Sequence, residues 1–251
     1  MANKLVAFSE RLDFWIKPID FNLAESQVND WQVFPLFTGI IGIFDKFSCH
    51  ISSLKPNTIP HSPHSHIDDE LIISLHGKIE ILTSDEPADP FRDSLLLKPG
   101  SFVYHPPFQG HTIRGAGSQA SRYLVLKWQR RYRQVAQDPH TFAHVAGLQD
   151  CTLQQVSDGF RLFPIIGLAS HTDGSLHAHF SCLEPGAGYP AHRDNYDMVV
   201  VLLEGELVTL DISSSAPVVF FFAANTPHGF FNPSKKPATY LVFEYNKPKQ
   251  N

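Results

Sequence analysis

The feature that most constrains the fold of this 251-residue chain is an internal repeat. Three residues of the first half recur as the same residue type in the second half: His64 as His192, Gly77 as Gly205, and His111 as His228. The first two recur after 128 residues and the third after 117, so the second copy is 11 residues shorter between its conserved points (128 − 117 = 11). A long repeat of this kind is typical of a chain that contains two copies of one structural unit.

Residues 60–77 of the first copy combine residue types that bind metals. His64 and His66 are two residues apart, and side chains at positions i and i+2 of a strand leave the same face. A short polar step then predicts a bend, after which Glu70 stands at the start of an apolar strand that ends in a glycine turn. Two neutral imidazoles and one carboxylate that converge from one sheet face suit a divalent ion such as iron, manganese, nickel or zinc.

A second stretch, residues 99–111, contains a Pro-Gly turn, a strand that a Pro-Pro pair ends, and His111. Together the two stretches resemble the two motifs of the cupin superfamily, G(X)5HXH(X)3–4E(X)6G and G(X)5PXG(X)2H(X)3N. The residues that match these motifs are His64, His66, Glu70, Gly77, Gly100, Pro106 and His111. Thr58, Phe108 and Gly115 depart from them, at positions that shape turns rather than bind metal.

The resemblance implies a small antiparallel β-barrel around one divalent transition metal, Fe, Mn, Ni or Zn, in the N-terminal half of the chain. The implied ligands are His64, His66, Glu70 and His111. A lone His-x-His pair would more often be a pair of surface or core histidines. Four residues of ligand type at matching spacings, with the glycine and proline turns in place, favour the metal site instead.

The second copy keeps the turns of these motifs but not all of the ligands. Asp194 and Met198 stand where the first copy has its second histidine and its glutamate, and Met198 is a poor ligand for a hard or borderline divalent ion. Asp197 is adjacent, but strand parity directs it to the wrong face. A possible second site therefore consists of His192, Asp194 and His228. Two interpretations stay open, an altered metal site or a barrel without a metal, and we favour a metal-free or weakly binding site.

The predicted fold class is all-β: two cupin-type antiparallel β-barrels (double-stranded β-helices, jelly-roll-like) in one chain, with a short helical linker. Twenty Phe and nineteen Pro residues fit many short strands broken by turns. The predicted domains are an N-terminal arm at residues 1–30, a first barrel at 31–128, a linker at 129–152 and a second barrel at 153–251. The linker is predicted to be helical because its arginines and glutamines tolerate a helix.

Composition argues against several classes of function. A net charge of −5 without a long basic run argues against a nucleic-acid interface, and no apolar run of about 20 residues is present that could span a membrane. Three widely spaced cysteines give neither a disulfide framework nor a CxxC metal motif. The first residues show no signal-peptide pattern, so we expect a cytoplasmic protein. The family resemblance also makes a homodimer plausible.

Four protein ligands would leave two positions of an octahedral ion open for a substrate. His61, Tyr104 and His105 are the candidates for acid–base roles, although strand parity allows only one of Tyr104 and His105 to face the metal. Their plainer alternatives are an exposed loop residue, a core aromatic and a strand filler. The resemblance implies a wide range of activities, and the intact set of four ligands favours a metal-dependent enzyme. We expect a dioxygenase similar to quercetinase-like bicupins, acting on a small oxygen-rich organic substrate. The alternatives are an oxygen-independent lyase, isomerase or decarboxylase, and a non-catalytic small-molecule-binding or sensor protein.

Overall fold

The computed structural model describes residues 6–8, 14–21, 30–41, 44–84, 93–130, 144–147, 150–165 and 176–246. All named elements in these ranges are β-strands, numbered here in chain order. The first eleven are β1 (Val6–Phe8), β2 (Phe14–Pro18), β3 (Trp31–Ile41), β4 (Phe44–Leu54), β5 (Asp69–His76), β6 (Lys78–Ser84), β7 (Asp93–Leu97), β8 (Ser101–His105), β9 (Gly110–Ala116), β10 (Ser121–Arg130) and β11 (His144–Gly147). The other eight are β12 (Gln154–Ser157), β13 (Phe160–Pro164), β14 (Leu176–Leu183), β15 (Asp197–Glu204), β16 (Glu206–Thr209), β17 (Ile212–Ser215), β18 (Val218–Phe222) and β19 (Ala238–Tyr245).

The chain divides into two compact units. The first unit takes its residues from 1–9 and 21–149, and the second from 10–20 and 150–251. The first contains a seven-stranded sheet, in the order β1-β3-β4-β10-β5-β8-β11, and a three-stranded sheet, β7-β6-β9. The second contains a seven-stranded sheet, in the order β12-β13-β14-β19-β15-β18-β2, and the hairpin β16-β17. Apart from the parallel pair β1–β3, the strand pairs are antiparallel, so the predicted all-β class is confirmed.

Successive side chains on the central strands of the first unit point to opposite faces of its sheet. Ile72, Val103 and Val125 are fully or almost fully buried in one apolar cluster, whereas their sequence neighbours Leu71 and Tyr104 point to the opposite face. Because β10 lies between β4 and β5, residues opposite one another on these strands share a face. The apolar cluster therefore fills the interior beside the polar residues that begin β5 and β9.

The second unit has its own apolar core, built mainly from β15, β18 and β19. Met198 is among these buried residues, together with Val200, Phe222 and Val242. Met198 lies opposite Phe222 on β18 and opposite Glu244 on β19. The residue at the position of the expected glutamate thus fills the core.

The closing glycine of each first motif is required by the backbone. Gly77 and Gly205 have φ values of +68° and +85°, in the region that side chains disfavour. A Cβ at Gly77 would lie 2.8 Å from the carbonyl oxygen of Ala120, and one at Gly205 would lie 2.6 Å from that of Pro237. Both turns therefore need glycine for conformation and for space.

The predicted helical linker is wrong where the structure describes it. Gln129 and Arg130 end β10, and His144–Gly147 form β11, which pairs with β8 through the register His144 to Tyr104. Hydrogen bonding to an available sheet edge has overridden the weak local preference for a helix. Residues 131–143 and 148–149 of that prediction lie outside the described residues.

The predicted N-terminal arm supplies one strand to each unit. β1 pairs in parallel with β3 of the first unit, and β2 pairs with β18 of the second. In the described part of the chain, no helix is long and apolar enough to cross a membrane.

Candidate metal centre

Four predicted ligand residues of the first unit come together where β5 and β9 begin. We call His64, His66, Glu70 and His111 the first cluster. His64 forms an isolated antiparallel bridge with His111, with N–H···O distances of 3.1 and 3.0 Å in the two directions. Glu70 is the second residue of β5, and its carboxylate turns toward the same space. The bridge fixes the loop that carries His64 and His66 against the strand that carries His111.

The Glu70 carboxylate lies between two of the imidazoles. Its Oε2 atom is 2.8 Å from Nε2 of His66 and 3.0 Å from Nε2 of His111. Ring nitrogens of His64, His66 and His111 all lie within 4.8 Å of one another, a grouping that could hold a metal ion. The structure therefore brings together all four residues that the motif spacing selected.

Backbone carbonyls determine which ring nitrogens of this cluster carry hydrogen. Nδ1 of His66 lies 3.0 Å from the carbonyl of Asp68, and Nδ1 of His111 lies 2.9 Å from the carbonyl of Gln109. A carbonyl oxygen only accepts, so both Nδ1 atoms donate, and the Nε2 atom of a neutral ring in this tautomer presents a lone pair. With both rings neutral, two lone pairs face the oxygen of Glu70, and a cation bound there would balance these three acceptors.

The electrostatics of the cluster keep Glu70 ionised. Burial to 4% exposure raises the pKa of Glu70, but the close contacts with His111 and His66 and the charge of Lys127 outweigh this and hold the pKa well below its usual value. Burial and the neighbouring His111 ring lower the pKa of His64 to about 4. A carboxylate and a neutral imidazole are the forms that bind a metal.

The three predicted acid–base candidates have different positions. His105 faces the first cluster, because it lies opposite Glu70 in the register of β8 and β5, and its ring stacks on that of His111 at 4.3 Å. Tyr104 faces the other way, and its hydroxyl donates to Asp69 Oδ1 at 2.6 Å. Register thus gives the inward position to His105 and not to Tyr104, so His105 is the member of this pair that stays a candidate.

His61 lies beside the cluster and His105 within it. The His61 ring is 4.4 Å from the His64 ring, in an edge-to-face arrangement. His105 bonds through Nδ1 to Gln109 Oε1 at 2.8 Å, and its buried Nε2 has no hydrogen-bond partner among the residues that the structure describes. Complete burial lowers the pKa of His105 to about 3, which keeps this ring neutral.

The second unit contains a smaller and more open grouping, which we call the second cluster: His192, Asp194 and His228. Asp194 Oδ2 lies 3.3 Å from His192 Nε2 and 3.2 Å from His228 Nε2. His192 and His228 share an isolated antiparallel bridge, as His64 and His111 do. This grouping could also hold a metal ion, although His192 is half exposed.

No protein-family model matches the sequence, and no curated protein matches it. Solved structures do match the fold. A glyoxylate-induced protein from Pseudomonas aeruginosa superposes with a TM-score of 0.73 at 16% identity, covering 100% of this chain and 95% of that one. Protein Ylba from E. coli gives a TM-score of 0.67 at 13% identity, covering 100% and 96%. A variant of Bacillus subtilis oxalate decarboxylase gives 0.59 at 12% identity, covering 82% and 70%.

The chain has a cupin fold. The resemblance that the two motifs carry is thereby confirmed at the level of the fold. The part of this cupin fold that positions the first cluster is the junction of β5, β9 and the His64–His66 loop, which is also the part that the motifs describe.

Two charged residues at equivalent positions of the cupin strands were missed by sequence reasoning. Lys127 of β10 has its Nζ 3.3 Å from Glu70 Oε1 and 3.2 Å from His66 Nε2. Glu244 of β19 lies opposite Met198 and 3.5 Å from His179 Nε2. These two residues are 117 positions apart (244 − 127 = 117), the offset that also relates the last histidines of the two motifs. Extending that offset to the last strand would have found both.

Proposed function

We propose that the chain is a metal-dependent bicupin enzyme whose working metal site is the first cluster. The observation that carries this proposal is the convergence of acceptors at that site. The Nε2 atoms of His66 and His111 lie 2.8 and 3.0 Å from the Glu70 carboxylate oxygen, while the Nδ1 atom of each ring faces a backbone carbonyl. Nδ1 of His64 is also buried without a partner in the described part of the chain. A divalent cation resolves this arrangement.

Several features favour the first cluster over the second as the stronger site. Glu70 adds a fourth ligand that is almost fully buried, whereas the second cluster has the apolar Met198 at that position. His192 is also half exposed, so its ring is held less firmly. We therefore propose that the second cluster binds a metal weakly or not at all.

The ligand set suits Fe, Mn, Ni or Zn, and a bound divalent ion would polarise the oxygen atoms of a substrate. The side chains of the chain itself would orient and enclose that substrate. Glu70 and His111, at 4% and 2% exposure, close the inner side of the cluster against water. His64 and His66 are partly exposed and leave the other side open, with His61 at its edge. A small molecule would enter from that side.

For the reaction, the dioxygenase expected from the sequence stays a prediction for a small, oxygen-rich substrate. A second candidate is an oxygen-independent lyase, isomerase or decarboxylase. The likeness of fold to an oxalate decarboxylase favours this second candidate, although a fold can host many reactions. The cytoplasmic location, the homodimer and the small-molecule substrate also stay predictions.

The metal site is tested by changing one residue in the first cluster and, as a control, the equivalent residue in the second cluster. His111→Ala and His228→Ala remove equivalent histidines from the first and second clusters. Elemental analysis of the purified proteins should find one metal per chain in the natural protein and in His228→Ala, and almost none in His111→Ala. Equal loss in both variants, or metal retained in His111→Ala, would contradict the assignment.

The reaction class is tested by turnover of small hydroxy acids, keto acids and phenols, with and without air. Turnover that consumes oxygen supports the dioxygenase. Turnover that continues anaerobically supports the second candidate. Tight binding without turnover would instead support the sensor that the sequence left open.

A further inference from the structure

Lys127 projects into the first cluster from a strand that contributes none of its ligands. On β10 it lies opposite Glu70 of β5 and opposite Ser48 of β4, so its side chain leaves the inward face of the sheet. Its Nζ atom is 3.3 Å from Glu70 Oε1 and 3.2 Å from His66 Nε2. The side chain is 23% exposed, so the ammonium is both anchored and open to a small molecule.

The bonds of this ammonium depend on the occupancy of the cluster. Nε2 of His66 cannot both bind an ion and accept a hydrogen bond from Lys127, since it has one lone pair. Glu70 can still accept through Oε1 while Oε2 faces the cluster. At least one N–H of Lys127 therefore becomes available beside the open side of the site when a metal is bound.

Another carboxylate close to His66 is already engaged. Asp68 Oδ1 accepts a hydrogen bond from Gln129 Nε2 at 2.8 Å and lies 3.7 Å from Lys46 Nζ. Val125 and Ile72, which flank Lys127 and Glu70 on the inward face, are apolar and buried. A positive donor above an apolar floor will favour a negatively charged oxygen over a neutral one.

We propose that Lys127 is a specificity-determining residue that binds an anionic oxygen, such as a carboxylate, of a substrate held at the first cluster. This inference rests on the proposed function and narrows its substrate class to small organic acids. The ammonium donates a charge-assisted hydrogen bond to the carboxylate, while a neighbouring oxygen of the same molecule lies at the metal site. The second unit lacks this device, because it carries the carboxylate of Glu244 at the equivalent position.

The experiment compares two probes that differ in charge but not in shape. Glycolate and glycolamide each offer a hydroxyl and a carbonyl oxygen, and only glycolate is an anion. Isothermal titration calorimetry measures their Kd for the zinc-loaded protein, for Lys127→Met and for Lys127→Gln. Zinc content is measured for each protein, and Lys46→Met serves as the matched control, since Lys46 also pairs with a carboxylate near the cluster.

We expect the natural protein and Lys46→Met to share one preference for glycolate over glycolamide. In the Lys127 variants, zinc is retained and this preference falls by at least about tenfold, the factor that a lost charged hydrogen bond corresponds to. An unchanged preference overturns the inference. Loss of zinc from both Lys127 variants also overturns it, because Lys127 would then serve only to hold Glu70. Failure of the natural protein to bind zinc is a different result, which overturns the proposed function itself.

Discussion

The two clusters have the same backbone arrangement but carry their charged side chains at different positions. In each unit a histidine of the first motif bridges to the last histidine, His64 to His111 and His192 to His228. In the first unit, Glu70 of β5 faces Lys127 of β10. In the second, Met198 of β15 faces Glu244 of β19.

The second unit thus carries its carboxylate on β19, the equivalent of β10, where the first unit carries the Lys127 ammonium. Glu244 pairs with His179, whereas Glu70 lies against two histidines of its own cluster. Burial and the nearby Glu244 and Asp194 carboxylates raise the pKa of Tyr196, so its hydroxyl stays protonated between them. The comparison teaches that one backbone framework can carry its charged side chains on different strands.

The largest expected effect comes from returning the glutamate to the second unit. Met198→Glu places a carboxylate in the core directly opposite Glu244, and an uncompensated buried charge costs about 3–5 kcal/mol. We expect urea denaturation at pH 8 to show a loss of stability of this size.

The double variant Met198→Glu/Glu244→Lys rebuilds the charge pair of the first unit, so most of that stability should return. Elemental analysis should then find two metals per chain instead of one. Met198→Gln, similar in size but uncharged, separates the effect of charge from that of packing. A double variant no more stable than Met198→Glu would break the comparison.

The converse change, Glu70→Met, gives the first unit the side chain of the second. It removes a ligand and leaves Lys127 without its carboxylate partner, so metal affinity should fall by more than the roughly 10–100-fold that loss of an outer-shell partner costs. Competition with a chromogenic chelator measures the affinity. Glu70→Gln keeps one oxygen ligand, so its metal affinity should lie between those of the natural protein and Glu70→Met. Full affinity in Glu70→Met would show that the carboxylate is not a ligand.

Acid should loosen the first unit of the metal-free protein through its buried histidines. Burial lowers the pKa of His50 to about 4 and that of His105 to about 3, whereas an unfolded chain titrates near 6.5. Below pH 6.5 the unfolded state therefore binds protons that the folded state does not, and stability falls as the pH decreases toward 4. Between pH 7 and pH 5 each histidine should cost roughly 2 kcal/mol.

Hydrogen exchange with peptide mass spectrometry follows the two units separately. Peptides of β4 and β8 should lose protection on acidification, and His50→Gln should lessen the loss. Equal protection at both pH values would contradict the assigned burial effect.

The smallest expected effect concerns a turn at the rim of each cluster. Phe108 and Asn225 both have φ of +68°, and their N–H groups donate to the carbonyls of His66 and Asp194. Asparagine adopts this left-handed conformation more readily than phenylalanine, and the Phe108 ring is 61% exposed. Phe108→Asn should stabilise the protein by about 1 kcal/mol, and Asn225→Phe should destabilise it by a similar amount, as measured by thermal unfolding. A loss of stability in Phe108→Asn would mean that contacts of the ring outweigh the backbone strain.

The parts of the site that the sequence predicted are those fixed by short-range geometry. The spacing of His64, His66 and Glu70 spans one loop and one strand start, so local periodicity suffices to bring them together. His111 followed because the motif includes its turn. Strand parity narrowed the choice between Tyr104 and His105 to one residue, but only the register of β8 on β5 decides it.

The features that the sequence did not predict depend on pairing between distant strands. Lys127 is 57 residues from Glu70 (127 − 70 = 57), and no local sequence pattern predicts that β10 pairs with β5. The strand at His144–Gly147 likewise forms because β8 offers an open edge, whereas its sequence neighbours suit a helix. Long-range hydrogen bonding decides such cases, and composition does not record it.

The position of β2 makes the second unit discontinuous along the chain. Its strand Phe14–Pro18 covers β18, yet more than a hundred residues separate it from the rest of that unit, which resumes at residue 150. In a fragment that starts at residue 150, the strand Val218–Phe222 would lose its partner β2 and become an unpaired edge strand of five consecutive buried apolar residues. An unpaired apolar edge strand promotes association with other chains. Separate expression of the second unit therefore requires that residues 14–20 be fused to the fragment.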